Sequence, residues 1–269
     1  MRQLPATEGR IFMNNLHKAF ENSKAFVPFI TCGDPDVETT EKLIYAMQSA
    51  GADMIELGIP FSDPTAEGVV VQESNIRALA NKITTDDIFE MLKKVSGRIT
   101  IPMVFVTYAN VVFSYGPEKF MKKCAECSIA GIVLQDIPFE EKKEFQDICS
   151  KYDVELISMI AETSGDRINM IASEASGFIN CLLSDKVMDK LEKNRVDVEE
   201  IFGKIRKSSN VPLIVSADDV TPEHVKLLVE YIDGITSGSA IVKICAKYGR
   251  DSEEHVSEYV KTMKNACRG

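Results

Sequence analysis

The chain has too little positive charge to be a general binder of polyanions. Its 31 Lys and Arg stand against 41 Asp and Glu, a formal net charge of −10, so no global basic field exists to hold nucleic acid or an anionic lipid surface. It also lacks any uninterrupted apolar run near the roughly 18 residues that a membrane helix requires, and its opening residues contain no apolar stretch of a signal peptide. Nucleic acid and membrane are therefore set aside as partners, and the cytoplasm is the expected compartment. A disulfide framework is missing too: seven cysteines, at 32, 124, 127, 149, 181, 245 and 267, form an odd, scattered set, as expected of reduced thiols. Cys124 and Cys127 are the only close pair. They have no second pair and no nearby His, and with Phe120 they fall at i, i+4 and i+7, the pattern of a buried helix face rather than a zinc site. The three His residues, His17, His224 and His255, all fall in helical stretches and read as structural or surface residues.

What remains is an ordinary globular composition, 45% apolar and 27% charged, on a length of 269 residues that fits either two domains or one large barrel. Short β-branched runs alternate with amphipathic helical stretches along the whole chain. The runs begin with residues 26–30, 53–57, 101–106 and 131–134, and continue with 154–159, 178–183, 211–215 and 232–236. Gly51 is placed to stop the first helix, and Pro117 to open a later one where its missing N–H costs nothing. No Pro-, Gly- or Ser-rich linker divides the series. Eight βα units in about 250 residues match a (β/α)8 TIM barrel occupying 1–269 as a single domain, whereas a six-stranded doubly wound sheet would leave two units over. The segment before Phe26, with Ile11, Leu16 and Phe20 among polar residues, reads as an extra N-terminal helix covering the barrel floor. Chemistry is then expected in the loops that follow the strands.

Glu56 is the most informative residue, because it interrupts an apolar run near the end of the second strand. Burying a carboxylate without a partner is expensive. If Glu56 points into the barrel mouth, desolvation raises its pKa toward the range a general acid/base needs; the other reading is a structural Glu bonded to neighbouring hydroxyls or amides. The loop after it supplies Asp63 and Glu67 on a segment rich in turn residues, above the same strand end. Two carboxyl groups at one mouth can divide the work of protonating a carbon, taking a hydroxyl proton and stabilising a cationic nitrogen. Solvated loop acids are the plainer alternative for Asp63 and Glu67.

The segment Glu-Leu-Gly-Ile-Pro-Phe-Ser-Asp-Pro at 56–64 resembles the signature of the tryptophan synthase α chain family. So do Phe-Val-Pro-Phe-Ile-Thr-Cys-Gly-Asp-Pro at 26–35, Thr-Tyr-Ala-Asn at 107–110, Asp-Ile-Pro at 136–138 and Ser-Gly-Ser-Ala-Ile-Val-Lys at 237–243, all in the family's order. The resemblance implies a single barrel that splits indole-3-glycerol phosphate into indole and glyceraldehyde 3-phosphate by retro-aldol cleavage, with no cofactor and no metal. It also implies a partner, the pyridoxal-phosphate-dependent β chain, in an α2β2 assembly. By resemblance Glu56 moves protons at the indole carbon and the glycerol hydroxyl, and Glu67 holds the indole N–H. Phe29 and Tyr108 match positions lining the indole pocket, Gly238 and Ser239 match the strand-eight half of the phosphate site, and Pro60, Asp63, Asn110 and Asp136 match loops that face the β chain.

The sequence departs from the family pattern at defined places. Glu67 stands where the family has Asp, and Val69 where a Pro usually follows. The Gly-Phe-Gly type turn after strand seven is replaced by Val-Ser-Ala-Asp-Asp at 215–219, and Asp218 and Asp219 are expected to repel a dianion. The Gly-Val-Thr-Gly lid of loop six is replaced by Ser-Asp-Lys-Val-Met-Asp-Lys at 184–190, whose Lys186 and Lys190 either supply phosphate charge or belong to a solvated loop. Two alternatives to the lyase follow: an α-like subunit of little or no activity that docks on and regulates a β chain, and a lyase for an altered, unphosphorylated indolic substrate.

Overall fold

The β-branched runs form one parallel sheet that passes through the whole described chain. The computed structural model describes residues 15–184, 186–188 and 196–268. Its strands are β1 (Ala25–Thr31), β2 (Ile55–Gly58), β3 (Met103–Thr107), β4 (Ile129–Leu134), β5 (Glu155–Leu156), β6 (Ser158–Ala161), β7 (Ile179–Leu182), β8 (Leu213–Ala217) and β9 (Gly234–Ser237). They pair in the order β5-β4-β3-β2-β1-β9-β8-β7-β6. The expected fifth strand is broken at Ile157, so that β5 pairs with β4 while β6 pairs with β7. Ile157 itself donates its N–H to the Ile132 carbonyl at 2.9 Å. The two pieces of one stave thus join the ends of the sheet, and eight staves close a TIM barrel.

Period-two alternation sorts the side chains. Val27, Phe29, Met54, Val104, Val106, Phe178 and Ile214 fill the barrel interior, while Phe26, Ile30, Ile55, Leu57 and Phe105 face the surrounding helices. Glu56, between Met54 and Gly58 on the interior side, is therefore aimed up the barrel axis by strand geometry alone. The floor is covered by a short 3-10 helix, Leu16–Phe20, whose Leu16 is buried and whose Phe20 ring lies 6.3 Å from that of Phe178. Ile11 lies outside the described residues.

Local signals act as their chemistry dictates. Gly51 ends the helix Val37–Ala50 in the left-handed conformation, φ 101°, and Pro117 opens Pro117–Glu126. Phe120, Cys124 and Cys127 are all buried, and all seven cysteines are free and buried. His17 lies 3.5 Å from Glu21, His224 belongs to the cap of the helix Pro222–Leu228, and His255 stacks on Tyr248 at 3.6 Å. The helices Ala109–Tyr115, Ser239–Tyr248 and, above β2, Val69–Ala80 occupy sequence that reads as loop. The buried face of Val69–Ala80 is Val71, Ser74, Asn75 and Ala78, polar in the middle, and Val69 and Ile76 are exposed, so no apolar stripe announces it. Polar contacts hold it instead: the Ser74 and Thr31 hydroxyls lie 2.6 Å apart, and Arg77 makes two 2.8 Å bonds to buried Asp34. Among the described residues no helix is long and apolar enough to cross a membrane.

Candidate active site

A cavity of about 400 Å³ opens at the C-terminal ends of the strands, where a TIM barrel places its chemistry. Glu56 forms part of its floor. The residue is 2% exposed, and its Oε1 has no hydrogen-bond partner among the described residues. Burial pushes its pKa up to about 8, and the nearby Thr236 hydroxyl, which has no other partner among the described residues, lowers it only in part. At neutral pH the group is mostly protonated, and the residue lines a space large enough for a small organic molecule. A carboxyl group that keeps its proton at the floor of a cavity has the chemistry a general acid needs.

Glu67 lines the same cavity from the loop above β2. Its two oxygens are held separately: Asn75 Nδ2 donates to Oε2 at 2.7 Å and Gln135 Nε2 donates to Oε1 at 3.0 Å. Burial raises its pKa, while the Gln135 and Asn75 hydrogen bonds favour the charged form and lower it. Asn75 is a clamp, since its Oδ1 also accepts the Phe61 N–H at 3.1 Å and its Nδ2 donates to the Val71 carbonyl at 3.0 Å. The structure thus brings Glu56 and Glu67 to one cavity. It leaves Asp63 outside the lining, exposed and accepting a 2.6 Å bond from Ser62.

Phe29 forms an apolar wall beside Glu56, its register neighbour across β1 and β2. Two glycines make room for its ring. A Cβ on Gly58 would stand 2.6 Å from Phe29 Cζ, and one on Gly238 3.2 Å from Cδ1. Tyr108 is buried beneath the loop, with its ring 5.1 Å from that of Phe61 and its hydroxyl accepting the Ala66 N–H at 3.2 Å. It is not among the residues lining the cavity, and its contact shapes the backbone next to Glu67.

The opposite wall is polar. Asn180 Oδ1 accepts from the Ser216 hydroxyl at 2.7 Å, and Asp218 Oδ1 accepts from the Ser239 hydroxyl at 3.1 Å. Gly238 is the N-cap of the helix Ser239–Tyr248, and it offers no capping side chain. The two acids after β8 part company: Asp218 lines the cavity, whereas Asp219 turns away to Lys243 at 2.6 Å.

Glu56 and Glu67 at one cavity at the strand ends agree with the segments that carry the family resemblance, and comparison with known proteins shows the family. The family model for the tryptophan synthase alpha chain matches residues 15–268. The chain belongs to the tryptophan synthase α chain family. It is 37% identical to the tryptophan synthase alpha chain of Lacticaseibacillus casei over 256 residues, 95% of this chain and 96% of the relative. With that of Thermoanaerobacter sp. strain X514 the identity is 38% over 259 residues, covering 94% and 99%. Among solved structures, tryptophan synthase subunit alpha from Legionella pneumophila superposes with a TM-score of 0.85 at 29% identity, covering 95% of this chain and 98% of that one. A chain from the tryptophan synthase complex of Pyrococcus furiosus gives 0.82 at 28%, covering 90% and 98%.

The segment after β7 is partly anchored. Ser184 donates to both oxygens of Glu162, at 2.8 and 2.9 Å. Val187 and Met188 are buried and Lys186 is exposed, while Lys190 lies outside the described residues. Pro60 and Asn110 line a second groove of about 410 Å³ on the same rim, next to the loop that carries Glu67. Asp136 is exposed and accepts the Ala109 N–H at 2.8 Å, capping the short helix Ala109–Tyr115. Sequence reasoning missed Asn75, Gln135, Asn180 and Thr236. Gln135 and Thr236 had a signal, a polar residue at the very end of an apolar run; Asn75 had none, because its helix was itself unread.

Proposed function

We propose that this chain catalyses the α reaction, retro-aldol cleavage of indole-3-glycerol phosphate to indole and glyceraldehyde 3-phosphate. The observation that carries the reading is Glu56, buried at the floor of the cavity, mostly protonated at neutral pH and with one oxygen unpartnered among the described residues. Protonated Glu56 gives its proton to the ring carbon that bears the glycerol chain. Positive charge then develops on the ring nitrogen, whose N–H donates to the Glu67 carboxylate held by Asn75 and Gln135. The Glu56 carboxylate takes the proton of the hydroxyl next to the breaking bond. That carbon becomes an aldehyde, the electron pair of the carbon–carbon bond returns to the ring to give indole, and Glu56 is again protonated. Phe29 supplies the apolar surface for the indole ring, and Gly238 and Ser239 lie at the phosphate end.

The groove of Pro60 and Asn110, with Asp63 and Asp136 on the exposed loops of the same rim, is the surface we assign to a β chain in an α2β2 assembly. A cytoplasmic setting belongs to the same reading. The test is equimolar formation of indole and glyceraldehyde 3-phosphate from indole-3-glycerol phosphate by the purified chain, alone and with an added β chain. Equimolar products are expected in both cases; absence of both products in both settings overturns the reading.

A further inference from the structure

The phosphate end of the cavity already contains an anion. Asp218, the residue directly after β8, lies between two helix starts. Its Oδ1 accepts the Ser239 hydroxyl at 3.1 Å, and its carboxylate oxygens lie 3.4 and 3.5 Å from where a Cβ on Gly68 would stand. Gly68 is the N-cap of the helix Val69–Ala80 and Gly238 the N-cap of the helix Ser239–Tyr248, and neither provides a capping side chain. Unbonded N–H groups and the positive end of the helix dipole favour an anion at such places. In barrels of this kind the loops after strands seven and eight and a helix N-terminus form the usual seat of a ligand phosphate.

Among the described residues no cationic side chain in the lining offsets this charge. The described residues around the cavity include four carboxyl groups, Glu56, Glu67, Glu162 and Asp218, and no Lys, Arg or His. Asp219 contributes no charge to the cavity, because it is paired with Lys243. The polar groups at this end, the hydroxyls of Ser216 and Ser239 and the amide of Asn180, suit a hydroxylated chain.

We propose that Asp218 is a specificity-determining residue, a resident anion at the phosphate end that makes the site discriminate little between indole-3-glycerol phosphate and unphosphorylated indole-3-glycerol. The inference rests on the lyase reading for its substrates and adds to it the class of tail the site accepts. Phosphorylated substrate meets like-charge repulsion at Asp218 that costs binding, whereas a free terminal hydroxyl donates to the same carboxylate.

The test is kcat/KM for both substrates in the wild-type chain and in Asp218→Asn, which keeps the shape and can still accept the Ser239 hydrogen bond. Removing the charge is expected to raise kcat/KM for the phosphorylated substrate about tenfold, with less than about a twofold change for the unphosphorylated one. Asp219→Asn is the control and should move neither. A parallel change for both substrates, or no change for either, overturns the proposal. Calorimetric titration with glycerol 3-phosphate reads the same end without turnover: Asp218→Asn should bind about tenfold more tightly than wild type. If neither protein cleaves either substrate, the lyase reading fails on its own. The titration then still decides the role of Asp218, and equal affinities refute it.

Discussion

A carboxyl group buried without a partner is tolerable when it keeps its proton, and Glu56 illustrates what that implies for both activity and stability. With a folded-state pKa of about 8, the proton donor is present below that pH and lost above it. Hence kcat/KM for indole release should be level through neutrality and fall about tenfold per pH unit above about 8, as a pH–rate profile will show. A profile that instead rises through this range assigns the limiting step to ionised Glu56. The buried place of Glu56 at the barrel mouth was legible from the sequence, because an acid inside an apolar strand run carries a desolvation cost that a surface acid does not. Its hydrogen-bonding environment was not, since that is set by Thr236, some 180 residues away in the chain.

At the scale of elements, the helix Val69–Ala80 is the part of the molecule that aims Glu67. It was hidden from periodicity because its buried face carries Ser74 and Asn75 rather than a stripe of apolar residues. The strands were readable because each is a short β-branched run, yet the break of the fifth at Ile157 was not, as the run from 154 to 159 is unbroken in composition and only its hydrogen-bond partners change sides. Asn75→Ala should lower kcat by roughly 10- to 100-fold by releasing Glu67 from one of its two donors, while thermal unfolding shows a loss of only about 1–3 kcal/mol. Steady-state kinetics beside calorimetry separates the two; an unchanged kcat means that Gln135 alone positions the carboxylate. Gly58→Ala tests the neighbouring strand end. The added methyl meets Phe29 Cζ at 2.6 Å, so the variant should lose about 1–3 kcal/mol in denaturant unfolding, and full stability would show that the ring moves freely aside.

At the scale of the whole molecule, the residues just before β1 are tied to the helix Glu253–Cys267 below the barrel, far from the chemistry. Lys264, on the helix Glu253–Cys267, is buried and donates to Asp53 at 2.6 Å, to Ser23 at 2.7 Å and to the Lys24 carbonyl at 3.2 Å. Lys264→Met leaves Asp53 without its cation and should destabilise the fold by about 2–4 kcal/mol with kcat unchanged; a loss of kcat in folded protein would couple the floor to the mouth. Glu56 acts on the same scale through linkage. It binds its proton in the folded state up to about pH 8 but in the unfolded state only up to about 4.5, so its contribution makes stability fall as pH rises between those values, by on the order of a few kcal/mol. Chemical unfolding of Glu56→Gln across this range should show a flatter dependence than wild type.

The most direct test of the account is a single-turnover measurement of indole release from indole-3-glycerol phosphate by wild type and Glu56→Gln, with folding of both verified by calorimetry. The account predicts a fall of about 10²- to 10⁴-fold in the variant, in a protein at least as stable as wild type near pH 8. Equal rates in the two folded proteins would contradict it, because the proton would then come from a group other than the one buried at the floor of the barrel mouth.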